Sequence, residues 1–125
     1  MIQTNEEKTT EEIKPKFELG QVVMTRGMDN ALEGLVPKED FASEAMWMFE
    51  KAAVKDVFIR ATLKKHSTGD WGDCCEEDKA LNDEAVKIGN RLVSVYHLPD
   101  KHRTKCYVIT EWDRSVTTLL LPEEY

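Results

Sequence analysis

Three short β-rich runs crowded into the last third of the chain constrain its fold more than any other feature. "RLVSVYHL", "KCYVITEW" and "SVTTLLL" are dense in β-branched and aromatic residues, and only "PDKHRT" and "DR" separate them. Links this short join antiparallel neighbours, so the pattern predicts a three-stranded meander. In the middle run the period of two puts Cys106, Val108, Thr110 and Trp112 on one face and Tyr107, Ile109 and Glu111 on the other.

Upstream the period lengthens. "FELGQVVMTRG" reads as a first strand stopping at Gly27, and "MDNALEGL" as a short helix with Asp29 or Asn30 as N-cap and Gly34 and Pro37 at its end. From Glu39 to Lys65, Phe41, Ala45, Met48 or Phe49, and Ala52 recur at three and four, and Val57, Phe58, Ala61 and Leu63 resume the pattern. "AVKDV" leaves open whether this is one helix or two. "EEDKALNDEAVKIG" repeats the helical spacing through Leu81, Ala85 and Ile88, with Gly89 as its stop. The expected class is α+β, with helices packed on one face of a small antiparallel sheet made of the C-terminal meander plus an N-terminal strand. Residues 1–16 are mostly polar and charged and read as a tail, leaving 17–125 as a single domain.

The totals narrow the function classes. A chain of 125 residues with a formal charge of −7 and a pI near 5.0 is poorly suited to tracking phosphate backbones, which are bound through clustered Lys and Arg. Direct nucleic-acid binding is therefore disfavoured, and a protein with a basic surface is the expected partner. No apolar run reaches the roughly 20 residues a membrane span needs, and "MIQTNEEKTT" has no signal-peptide core, so the expectation is a cytoplasmic protein without a membrane partner. Cys74, Cys75 and Cys106 are odd in number and lack a framework spacing; they read as free thiols in a reducing compartment.

The densest polar stretch is "HSTGDWGDCCEED", His66 to Asp78. Most of it describes a helix, a stop, a turn, a cap and a second helix. Lys64, Lys65 and His66 suit a helix's negative end, and Gly69 the left-handed residue beyond it. Gly72 lets the chain reverse and Trp71 plugs the core. Asp73 and Glu76 have capping-box spacing, and Glu76, Glu77 and Asp78 suit a positive helix end. Asp70 has no capping task and lies four residues from His66, near enough to orient it as an acid/base pair. His66, Asp70 and Asp73 lack a second ligand pair at fixed spacing, so neither a metal nor another cofactor is expected.

A second polar cluster, "ITEWDRSVTT", spans the last strand turn. Asp113 and Ser115 are ordinary turn residues, and Arg114 is a solvated tip on the bland view. Glu111 stands on an otherwise apolar face, either in an ion pair or in a site, where Arg91 and Tyr96 would complete a polar patch. His97 and His102 are loop-side residues with no evident partner.

"HSTGDWGDCCEEDKALN", "GNRLVSVYHL" and "VITEWDRSVTTLLLPEEY" together resemble a family of small bacterial proteins of plasmids and other mobile elements. Its members are called plasmid-related proteins, or carry the label of a type I restriction endonuclease methylation subunit. The likeness runs from about Phe17 to Tyr125. The methylation label finds no support in the chain, which has no glycine-rich cofactor loop after its first strand. The resemblance implies a mobile-element setting and marks His66, Asp70, Arg91, Glu111, Arg114, Ser115 and Thr117 among its motif positions, without implying an activity. Cys74-Cys75 departs from the family pattern, where an apolar residue is usual.

Two functions of different class follow. One is an accessory protein of a mobile genetic element acting by protein binding, an anti-restriction or anti-CRISPR type inhibitor being one form. The other is a metal-independent, ribonuclease-like or transferase enzyme, with His66, Asp70, Arg91, Glu111, Arg114, Ser115 and Thr117 as its catalytic cluster. A shared cleft holding both His66 and Arg114 is the geometric requirement of the second.

Overall fold

The computed structural model describes residues 14–125. The expected tail falls mostly outside them; of its described part, Lys16 donates its backbone N–H to the Ser67 carbonyl at 2.7 Å. The fold is α+β. Strand β1 (Gln21–Met24) leads into helix α1 (Arg26–Glu33), a 3-10 turn (Lys38–Asp40) precedes the long helix α2 (Glu44–Ser67), and α3 (Glu76–Ile88) follows. The meander is formed by β2 (Leu92–His97), β3 (Lys105–Thr110) and β4 (Val116–Leu120), and a 3-10 turn over Pro122–Glu124 ends the chain.

The meander forms as its β-rich runs predict, but the sheet is mixed. Its order is β1-β4-β3-β2, with β1 parallel to β4 and the other pairs antiparallel. The first and last strands run side by side, so all three helices lie in the crossover between β1 and β2. Gly20 opens this pairing with φ +66; a Cβ there would come within 2.3 Å of the Arg114 carbonyl, so only glycine lets the strands meet. One sheet face carries Tyr96, Cys106, Val108 and Leu119, and Met28 and Leu32 of α1 bury against it with Phe58, Ile59 and Leu63 of α2.

Several local expectations are corrected. Helix α1 is capped by Thr25, whose hydroxyl accepts from Met28 N–H at 3.3 Å, and not by Asp29 or Asn30. Asp29 is free to pair across to Lys55 at 2.8 Å. Helix α2 is one uninterrupted helix through "AVKDV", but it begins at Glu44 behind the Ser43 cap and not at Glu39, because Lys38–Asp40 form a 3-10 turn and Phe41 is extended. The N-cap of α3 is Cys75, without a side-chain bond, so Asp73 and Glu76 form no capping box. The Asp73 carboxylate is engaged instead by His97 Nε2, 2.8 Å away.

The free edge of β2 is blunted. The Asn82 side chain donates to the Val93 carbonyl at 2.8 Å and accepts from the Val93 N–H at 3.2 Å. Two residues on, Val95 N–H donates to the Trp71 carbonyl at 3.1 Å, and Asp73 N–H donates to the Val95 carbonyl at 2.7 Å. Gly72 sits at this bridge with φ +74, where a Cβ would lie 2.0 Å from the Val95 oxygen.

Candidate functional site

His66 closes the C-terminal turn of α2 and is completely buried. Its Nδ1 lies 2.5 Å from Ser94 Oγ and its Nε2 2.9 Å from Thr110 Oγ1, with the Phe17 and Trp71 rings edge-on at 5.2 and 5.8 Å. The chain continues from Thr110 to Thr117 Oγ1 at 2.7 Å, and Thr117 donates to the Leu19 carbonyl at 2.7 Å. A carbonyl can only accept, so the direction of every bond is set from that end. Thr117 donates to Leu19 and receives from Thr110; Thr110 in turn receives from His66 Nε2–H. Nδ1 is then the acceptor, from Ser94. The network holds one neutral tautomer, and burial, reinforced by the Arg114 charge, pushes the imidazole pKa down to about 4.

His66 therefore does not pair with Asp70. The Asp70 carboxylate accepts from Gly72 N–H at 3.2 Å, and its backbone carbonyl takes the Tyr96 hydroxyl. Helical spacing of four suggested the pair, but Asp70 lies beyond the helix end and points to solvent. Burial pushes the Tyr96 phenol well above its ordinary range.

Arg114 is no solvated tip. With φ 59 at the hairpin, its guanidinium donates to the carbonyls of Ala85 at 2.9 Å, Asn90 at 2.6 Å and Glu111 at 3.1 Å, and lies 5.6 Å from the Phe17 ring centre. It is a cation on the C-terminal end of α3. Phe17 stands between Arg114 and His66, touching both, so the two share a ring and not a cleft. Arg91 pairs with Glu111 at 3.3 Å and donates to Tyr125 Oη at 2.7 Å, on the outer side of the sheet; the Glu111 carboxylate, then Tyr125, holds the guanidinium charged. Ser115 donates its hydroxyl to Asp113 at 2.6 Å within the turn. Of the seven candidate residues, the structure thus joins His66 and Thr117 in one buried chain, and Arg91 with Glu111 in one surface pair. Asp70 and Ser115 stand apart.

His97, left without a partner on sequence grounds, ends β2 and bridges Asp73 to the Arg103 carbonyl, the latter at 2.9 Å. Its hydrogen bond holds the Asp73 carboxyl below the usual range. Trp112 lies past the end of β3 and is exposed. The three thiols are free; burial pushes Cys106 up to about 12. Among the described residues no cluster of His, Cys, Asp and Glu is placed to hold a metal ion, and no helix is long and apolar enough to cross a membrane.

A broad concavity lies elsewhere. Between α2 and the β2 end runs an open groove of about 750 Å³, walled by Ala53, Val57, Phe58 and Ala61 on the helix and by Tyr96 and Leu98 opposite, with Glu50, Lys65, Asp73 and Arg103 at its rim. Beside it α2 exposes Met46, Met48, Phe49 and Val57 at 62%, 57%, 75% and 67%. The cause is what α2 turns inward. Trp47 donates to the Val36 carbonyl at 2.8 Å, and Lys51 and Lys55 reach Glu33 of α1 at 3.4 and 3.0 Å. Polar anchors hold that half of the helix and leave its apolar residues outside. A scan against protein-family models finds no match for the chain, and neither do searches of curated proteins and of solved structures.

Proposed function

We propose that this chain is a small binding protein that engages another protein through the exposed face of α2 and the groove beside it, serving as an accessory factor of a mobile genetic element. The observation that carries the proposal is the exposure of large apolar side chains on α2, of which Met46, Phe49 and Val57 share one side and Met48 lies on another. Four of them stand more than half exposed on one helix, beside an apolar groove, which is the signature of an interaction surface. The charge of −7 favours a basic partner, and the resemblance to mobile-element proteins favours an inhibitor of host defence. The engagement of His66 with three hydroxyls' worth of buried network, and of Arg114 with carbonyls, supports binding over acid/base work, since neither group faces the groove.

The test is capture from host lysate at several salt concentrations, comparing the wild type with a Phe49→Asp, Val57→Asp variant of unchanged circular dichroism. A stoichiometric partner that weakens with salt and is lost in the variant is the expected result. Equal capture by the variant, or RNA cleavage by the wild type without any partner, would overturn the proposal.

A further inference from the structure

We infer that, without another partner, the α2 face is occupied by a second copy of this chain, its α2 lying antiparallel on the first. The inference deepens the function proposed above and rests on its reading of α2 as a docking face. It starts from spacing. Met46, Glu50, Ala53, Val57, Arg60 and Lys64 follow one another at four, three, four, three and four, the repeat by which one helix lines a seam against another. Five of the six are exposed and Ala53 is half-buried, so the seam is open along about 27 Å of helix at 1.5 Å per residue.

The order of residues selects the occupant. About a two-fold axis crossing the helix at residue 55, position i meets position 110 − i. Ala53 of each copy then meets Val57 of the other, a small residue against a larger one, twice. Outside these layers Glu50 meets Arg60, again twice, and the aliphatic stem of Lys64 lies along Met46. A two-fold interface requires a patch complementary to itself, and this one is so in both size and charge. Parallel pairing would instead set Glu50 on Glu50 and Arg60 on Arg60. Arg60 is bound to Asp56 at 2.8 Å within its own helix, with 80% of its side chain exposed, so it is held beside the seam with N–H groups left to donate to a second carboxylate. One helix pair is small against the roughly 800 Å² per partner of a standard interface, so the dimer is expected to be of about micromolar strength and displaceable.

The experiment is sedimentation equilibrium of the purified chain from low-micromolar to submillimolar concentration, for the wild type, Glu50→Arg, Arg60→Glu and the double swap, each checked for an unchanged fold by circular dichroism. Each single change should weaken the dimer by roughly ten-fold or more by placing like charges across the seam. The double swap should restore it, and an equimolar mixture of the two single variants should form a heterodimer. A wild type that stays monomeric throughout, or a dimer indifferent to these swaps, overturns the inference. Monomers that still capture a partner through Phe49 would sink self-pairing alone; a dimer with no lysate partner would sink the proposed function and leave self-pairing standing.

Discussion

The two halves of α2 obey opposite rules. From Phe58 to Ser67 the helix lies on the sheet: Phe58, Ile59 and Leu63 pack on the core, and Thr62, His66 and Ser67 are buried. From Glu44 to Val57 it stands off, tied to α1 by Lys51 and Lys55 and showing Met46, Met48, Phe49 and Val57 to solvent. One half buries polar groups and the other exposes apolar ones. Burial of a polar residue is stable only when every hydrogen-bonding atom is matched, as the His66 chain is; exposure of an apolar one costs the folded monomer little and suits a surface that will be covered.

The contrast is breakable by measurement. His66→Ala removes a buried ring and strands the Ser94 and Thr110 hydroxyls, and should cost about 3–5 kcal/mol in urea unfolding. A loss under 1 kcal/mol, the surface range, would erase the distinction. Acid should act next. With a folded pKa of about 4 against 6.5 for the unfolded histidine, the unfolded chain binds the extra proton between those values. Stability is therefore full above pH 6.5 and falls by about 3 kcal/mol as pH drops to 4. A His66→Gln variant should lose that slope; an identical slope in the variant would assign it to the carboxylates. At the other end of the helix, Phe49→Asp should change unfolding free energy by no more than about 0.5 kcal/mol at concentrations where the chain is monomeric. A cost of several kcal/mol would mean that this half too is core.

The same contrast separates what was legible in the sequence from what was not. The meander, the left-handed stops at Gly69 and Gly89 and the burial of Trp71 follow from local chemistry, and the structure has each of them. The helical repeat was plain from Ala45 to Leu63, though it does not include Phe41, which is extended; and periodicity says which residues share a face and nothing of whether another element covers it. Only the Glu33 and Asp29 partners of Lys55, on another helix, decide that. His66 was misassigned for a related reason. Asp70 is its neighbour in sequence, whereas Ser94 and Thr110 lie 28 and 44 residues away, beyond the reach of any spacing rule. Arg114 gave the signal of an ordinary turn residue, and its carbonyl partners on α3 leave no sequence trace. Asn82 gave no sign of its role as an edge cap, since its partner Val93 lies eleven residues on in another element.

That cap has a consequence for how the molecule behaves in a crowd. An open strand edge is a template on which an extended chain can add itself, and growth from such an edge is how many small β-rich proteins form fibrils. Here the amide of Asn82 imitates a passing strand at Val93, and the backbone of Trp71 to Asp73 does the same at Val95. Strand addition is refused along the very edge that borders the groove. The β2 edge can thus lie beside an oily helix without itself seeding cross-β assembly, and whatever docks there must be recognised by its side chains.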